Sequence, residues 1–213
     1  MPARTTVARP VVAAFDVDGT LTRRDSVGPF LVRVAGARLA LALASHPRAL
    51  ATGLLRRDHD LLKALACSSL AGADELRVRA EGAAYGRELY ERRLRDDTQA
   101  RLRRHRELGH RLVIVSASLE PYLVPLGDLL RVDAVLCTRL ECSPDGRLTG
   151  RLDGPNCRGP EKGRRLRDWL RATDLESAEV WAYGDSSGDD ALLAMADHAV
   201  RVRHTRVSPE PVA

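Results

Sequence analysis

Aromatic side chains are scarce, 4% of 213 residues, and a surface that stacks nucleic-acid bases needs them beside its cations. Arginine is instead scattered among Asp and Glu. The formal net charge of +5 therefore reads as a solvated surface, and nucleic acid is not an expected partner. Cysteine is also sparse. Cys67, Cys137, Cys142 and Cys157 form no C-x-x-C pair and accompany no secretory signal segment, which predicts reduced thiols in a cytoplasmic protein. Their spacings match no zinc motif, and the stretch from Cys137 to Cys157 lacks His. Long apolar runs are missing as well, so no transmembrane segment is expected. The nearest candidate, residues 30–44, is interrupted by Arg33 and Arg38. It reads as a buried amphipathic helix in preference to a membrane-surface one. With 44% apolar and 30% charged residues, what remains is a soluble globular chain of one or two domains.

The polar, basic opening MPARTTVARP gives way to the apolar run VVAAFDV, stopped by D-G-T. That is a buried parallel strand leading into a loop. From Asp25 to about Leu94 only helical spacings occur, as in Val27, Phe30, Leu31 and Val34, and about three or four helices are predicted. Alternation follows, with a helix over 97–108, the strand RLVIVSA and a helix over 120–130. Next come the strand DAVLCTRL, a Pro-Asp-Gly turn, a short LTGRL segment, a helix opening at Pro160, and the strands EVWAYG and HAVRV. Strands separated by helices predict a parallel sheet covered on both faces, with ligands bound beyond the carboxyl ends of its strands.

Four signals stand at such ends. D-V-D-G-T puts Asp16 and Asp18 on one side of an extended segment, and Gly19 permits a sharp turn. Ser116 closes RLVIVSA and offers a hydroxyl, while Ser118 is better placed to cap the next helix. Lys162, in R-G-P-E-K-G, lies in the first turn of a helix, where free N–H groups also attract anions. Y-G-D-S-S-G-D-D crowds Asp185, Asp189 and Asp190 together, which calls for a cation unless Asp185 or Ser187 serves only as a helix cap. Each signal alone has such an ordinary alternative. Their order and shared placement do not.

D-x-D-G-T, V-S-A-S, a lone Lys and G-D-S-x-x-D, in that order, resemble the four motifs of the haloacid dehalogenase (HAD) superfamily. The helical insert straight after the first motif is similar to the phosphoserine-phosphatase-like branch, and the segment LTGRLDGPNCRGPEK looks like that branch's bacterial hydrolases. The resemblance runs from Val11 to Val202. It implies an α/β fold: a doubly wound, mostly parallel, Rossmannoid sheet formed by residues 1–22 and 96–213, with an all-helical cap, residues 23–95, inserted after the first strand. It further implies that Asp16 is the nucleophile and Asp18 the general acid and base. Ser116, Lys162 and Gly19 would bind phosphate, and Asp16, Asp185 and the Asp18 backbone carbonyl would bind Mg2+. Asp189 is the second acidic residue of the last motif, and Asp190 receives no role.

The implied activity is magnesium-dependent hydrolysis of a small phosphorylated metabolite through an aspartyl-phosphate. A carboxylate attacking a phosphate dianion beside further carboxylates meets repulsion that a cation must offset. Asp at position 18 fits a phosphatase, which needs a group to protonate the leaving alcohol and then to activate water. A lipid-phosphate phosphatase resembling those for phosphatidylglycerophosphate, a phosphotransferase and a non-catalytic binding module are the alternatives. In the phosphoserine phosphatases an acidic residue contacts the substrate amine, and Asp25 holds that place. The family's carboxylate-binding Arg falls on Asp58, with Arg56 and Arg57 adjacent. Asp25, Arg56 and Arg57 are thus the candidates for selecting substrate, and the match predicts an ester with an amine and no carboxylate, such as histidinol phosphate.

Overall fold

The computed structural model describes residues 9–202, 206–208 and 210, so the opening stretch as far as Ala8 lies outside the described residues. Its first strand, β1 (Val11–Phe15), alternates its side chains between two cores. Ala13 and Phe15 face one cluster, Val12 and Ala14 the other, and all four are fully buried. Such burial on both sides is the mark of a central parallel strand.

β1 lies between β2 (Arg111–Leu119) and β5 (Glu179–Gly184), with Ala14 level with Val113 and with Ala182. β3 (Ala134–Cys142) continues the sheet beyond β2, and β6 (His198–Arg201) continues it beyond β5, all parallel. β4 (Leu148–Asp153) adds an antiparallel edge, giving the order β4-β3-β2-β1-β5-β6. The chain leaves β1 in both directions, so the strand order reverses beside it. That is the position at which open α/β sheets form a ligand crevice. DAVLCTRL, LTGRL, EVWAYG and HAVRV all appear as strands within a residue or two of their expected limits.

Five helices lie between Asp25 and Leu94 where about three or four were expected: α1 (Val27–Ala35), α2 (Ala37–Ala44), α3 (Pro47–Arg56), α4 (His59–Ser68) and α5 (Glu75–Arg92). The single buried helix expected over residues 30–44 does not form. Gly36, at φ 54°, bends the chain by 105° between α1 and α2. α1 buries Phe30, Leu31 and Ala35, whereas α2 buries no residue at all. No single helix among the described residues is long and apolar enough to cross a membrane.

α6 (Asp96–Glu107) and α7 (Glu120–Leu130) join α5 on the Phe15 side of the sheet, and α8 (Pro160–Ala172) with the short α9 (Asp190–Leu193) covers the Val12 side. α5 is fastened directly to α7. A Cβ on Gly82 would stand 2.2 Å from the Pro121 carbonyl oxygen, and one on Gly86 2.8 Å from that of Tyr122. Glycine permits the approach, and the last helix of the insert is thereby part of the core packing.

Candidate active site

Asp16 is the first residue beyond β1, and its N–H donates to the Tyr183 carbonyl at 2.9 Å. Lys162 enters from the first turn of α8, which opens with Gly159 at φ 56° followed by Pro160. Its ammonium donates to Asp16 Oδ1 and to Asp189 Oδ1, each at 2.5 Å. The three residues are almost fully enclosed, at 4%, 2% and 1% exposure for Asp16, Lys162 and Asp189. Burial works against the Lys162 ammonium, but Asp16 and Asp189 outweigh it and raise its pKa. Asp16 is raised by burial, with Lys162 pulling the other way.

The second oxygen of Asp189 accepts from the N–H groups of Asp185 at 3.1 Å and Ser186 at 2.9 Å, and from Ser186 Oγ at 3.0 Å. Ser186 in return caps the tight turn Ser187–Asp189. The alternative in which Asp185 or Ser187 serves only as a cap is not what forms, because the reciprocal bonds between Ser186 and Asp189 already satisfy the free N–H groups. Asp185 is thus left to face the crevice. Burial, then Asp16 and Asp189, raise its pKa to about 6.

Oxygens of Asp16, Asp185 and Asp189 lie within 4.8 Å of one another. Asp16, Asp185 and Asp189 are three carboxylates around the single Lys162 ammonium, an excess of negative charge that suits a hard cation with oxygen ligands. Gly19 belongs to the same arrangement. At φ 82° it lies so close to Asp185 that a Cβ would fall 2.2 Å from Oδ2. It is placed against a carboxylate, where no side chain has room.

Asp18 is held by a separate network. Ser118 Oγ donates to its Oδ2 at 2.6 Å, and the Ser26 N–H to its Oδ1 at 3.0 Å. Ser26 Oγ lies 2.9 Å from the Tyr122 hydroxyl, and the Tyr85 hydroxyl donates to the Ser26 carbonyl at 3.1 Å. Burial lifts the Asp18 pKa to about 7 against the pull of the Ser118 and Ser26 bonds. Ser118 does not cap α7 as expected. β2 runs on to Leu119, past a register shift after Ser116, and α7 starts with no side-chain cap. The Ser116 hydroxyl accepts from the Ser118 N–H at 3.1 Å.

From the insert, Lys63 on α4 reaches the same crevice. It donates to the Ala117 carbonyl and, at 3.0 Å, to Asn156 Oδ1. Asn156 also accepts from Thr138 Oγ1 at 2.8 Å and donates to Asp60 Oδ1 at 2.6 Å. The residues expected to select substrate are exposed, with Asp25 close enough to Asp18 and Lys63 for their charges to interact. Asp25 is exposed and accepts from the N–H groups of Val27 and Gly28 at the start of α1. Arg56 and Arg57 are exposed at the end of α3, and Asp58 caps α4 through the Leu61 N–H at 2.9 Å.

Sequence reasoning thus brought Asp16, Asp18, Ser116, Lys162, Asp185 and Asp189 to one end of the sheet but missed Ser26, Ser118, Lys63 and Asn156. A signal for Lys63 was available: among 34 Lys and Arg, only Lys63 and Lys162 are lysines. Both end at this site.

The haloacid dehalogenase-like hydrolase family matches residues 13–194. Protein CicA of Caulobacter vibrioides is 39% identical over 189 residues, covering 88% of this chain and 84% of its own. Phosphoserine phosphatase SerB2 of Mycobacterium tuberculosis is 29% identical over 189 residues, 85% of this chain and 41% of its own length. A crystal structure of phosphoserine phosphatase in its apo form shares the fold, with a TM-score of 0.60 at 17% identity, over 88% of this chain and 84% of that one. With the family matched across most of its length, the chain belongs to the haloacid dehalogenase-like hydrolases.

Proposed function

We propose that this hydrolase is a magnesium-dependent phosphatase of a small-molecule phosphate monoester, working through an aspartyl-phosphate on Asp16. The observation that carries the reading is the pairing of a buried Asp16 with Lys162 at 2.5 Å, with Asp18 two residues on and held by its own donors. An Asp16 oxygen attacks phosphorus, the ester P–O bond breaks, and the leaving alkoxide takes a proton from Asp18. Asp18, now a carboxylate, takes a proton from water as that water attacks the same phosphorus. Phosphate departs and the Asp16 carboxylate is restored. Lys162 and the Ser116 hydroxyl are the donors toward the non-bridging oxygens. Asp16, Asp185 and the Asp18 backbone carbonyl would hold Mg2+, whose charge offsets the carboxylates that surround a phosphate dianion.

In this reading residues 23–95 are the cap and residues 1–22 and 96–213 the core. A buried Asp16 requires the cap to open for substrate and to exclude stray water when closed. All four cysteines are free, which supports a reducing compartment such as the cytoplasm. The test is phosphate release from a panel of esters, including phosphoserine, histidinol phosphate, sugar phosphates and lipid phosphates, with and without Mg2+. Asp16→Asn should abolish turnover while keeping the fold. More than a trace of remaining activity would overturn Asp16 as nucleophile.

A further inference from the structure

We infer that the α2–α3 face of the insert docks on an anionic lipid bilayer surface. The first observation is an apolar helix that stays largely exposed, with Leu39 packed only in part against the core. α2, ARLALALA, has no buried residue. Leu41 on α2 and Leu54 and Leu55 on α3 are 70%, 61% and 85% exposed. On α3 the exposed residues Arg48, Ala51, Thr52 and Leu55 recur at helical spacing, so Arg48 and Leu55 share the outward side.

The second observation is charge. No Asp or Glu occurs between Asp25 and Asp58, while Arg33, Arg38, Arg48, Arg56 and Arg57 do. Arg33 is committed to Glu81 and Glu88, and Arg38 donates to the Ala71 carbonyl. Arg48, Arg56 and Arg57 form no side-chain hydrogen bond or ion pair among the described residues. Other surfaces of the molecule interleave their arginines with carboxylates, as Arg164 does with Glu161 and Asp168.

An exposed apolar helix flanked by unpaired arginines on a carboxylate-free segment matches a bilayer interface, where leucines enter the acyl boundary and guanidinium groups meet lipid phosphates. A second copy of the chain would set the same arginines against each other. Each term alone is weak, and it is the combination that gives stable surface binding. α4, which packs on α2 and α3, carries Lys63 into the crevice, so the docking face is one helix from the site.

Co-sedimentation of the full chain with vesicles tests this. Vesicles of phosphatidylglycerol and phosphatidylcholine in equal parts should bind the protein, and phosphatidylcholine alone should not. Arg48→Gln should weaken binding roughly fivefold, and Leu54→Ser with Leu55→Ser at least roughly tenfold. Both variants should keep wild-type turnover of a soluble aryl phosphate, which also shows that they fold. Absence of binding to the anionic vesicles, equal binding to neutral ones, or undiminished binding by the double leucine variant would overturn the inference. So would a wild-type dimer that the leucine substitutions split in solution, since the face would then belong to a second copy.

Discussion

Lys63 of α4 and Asn156, in the loop before α8, meet at 3.0 Å across the crevice, and Asp60 takes the other end of the same amide. The insert is therefore clipped to the core by its only lysine. Lys63→Met keeps the apolar stem and removes the donors. Amides of α4 should then exchange with solvent several-fold faster, while those of β1 and β5 stay unchanged. Equal exchange in α4 with and without the substitution would mean that other contacts hold the insert closed.

Ser118 positions Asp18 through a 2.6 Å bond. Ser118→Ala leaves the carboxylate with the Ser26 N–H and a more distant Thr22 hydroxyl at 3.5 Å. Loss of a correctly aimed acid and base costs on the order of a hundredfold in kcat. The expected result is a fall in kcat with KM nearly unchanged. A change confined to KM would assign Ser118 to substrate binding.

Gly19→Ala combines a strained backbone with a collision. Its φ is 82°, and the new Cβ would stand 2.2 Å from Asp185 Oδ2. The left-handed conformation alone costs about 1–2 kcal/mol, and Asp185 must swing aside. A folded protein with a lowered Tm is expected, and it should need more Mg2+ for half-maximal turnover. An unchanged Mg2+ requirement would separate Asp185 from the cation site.

Gly82→Ala probes the seam between insert and core. The added methyl would meet the Pro121 carbonyl at 2.2 Å, and backbone cannot yield as a side-chain tip can. Overpacking of this kind costs about 1–3 kcal/mol. Urea denaturation should show that loss, whereas Ala83→Ser, one position along, should stay close to wild type.

The alternating strands and helices were legible because parallel strands are continuous apolar runs and their ends carry the D-V-D-G-T and G-D-S-S-G-D-D clusters. The course of the insert was less so. Residues 30–44 are apolar enough to suggest one buried helix, but the bend at Gly36 depends on tertiary packing that turns α1 inward and leaves α2 outside. The second layer of the site was hidden for another reason. Ser26, Ser118 and Asn156 are common residue types, the bonds from Ser118 to Asp18 and from Lys63 to Asn156 span 100 and 93 positions, and no local pattern marks such bonds. Ser118 also looked like a helix cap, a competing use that the extension of β2 removes.

His105 of α6 adds a pH-dependent contribution to the stability of the fold. It is fully buried beneath the site, its ring edge-on to Phe15, Tyr183 and Trp181. Nε2 lies 2.7 Å from the Tyr183 hydroxyl, and Nδ1 lies 2.7 Å from Nδ1 of His110. That hydroxyl already accepts from Arg101 at 3.0 Å, so its proton is directed to Nε2 and the neutral ring donates from Nδ1. A protonated ring would set a second donor against Tyr183 beside a guanidinium. Burial, then His110 and Arg101, accordingly depress the His105 pKa from 6.5 to about 3. In the unfolded chain the ring binds a proton near its ordinary pKa, while in the folded chain it stays neutral down to about 3. The stability it contributes is therefore present above pH 6.5 and is lost as pH falls through the window from 6.5 to about 3. The slope is about 1.4 kcal/mol per pH unit, so roughly 2 kcal/mol disappears between pH 7 and pH 5. Urea denaturation of the wild type and of His105→Gln at both pH values isolates this contribution from that of the carboxylates. The variant should be less stable at pH 7, with a deficit that shrinks at pH 5. A deficit of the same size at both would mean that His105 is protonated equally in the folded and unfolded chain.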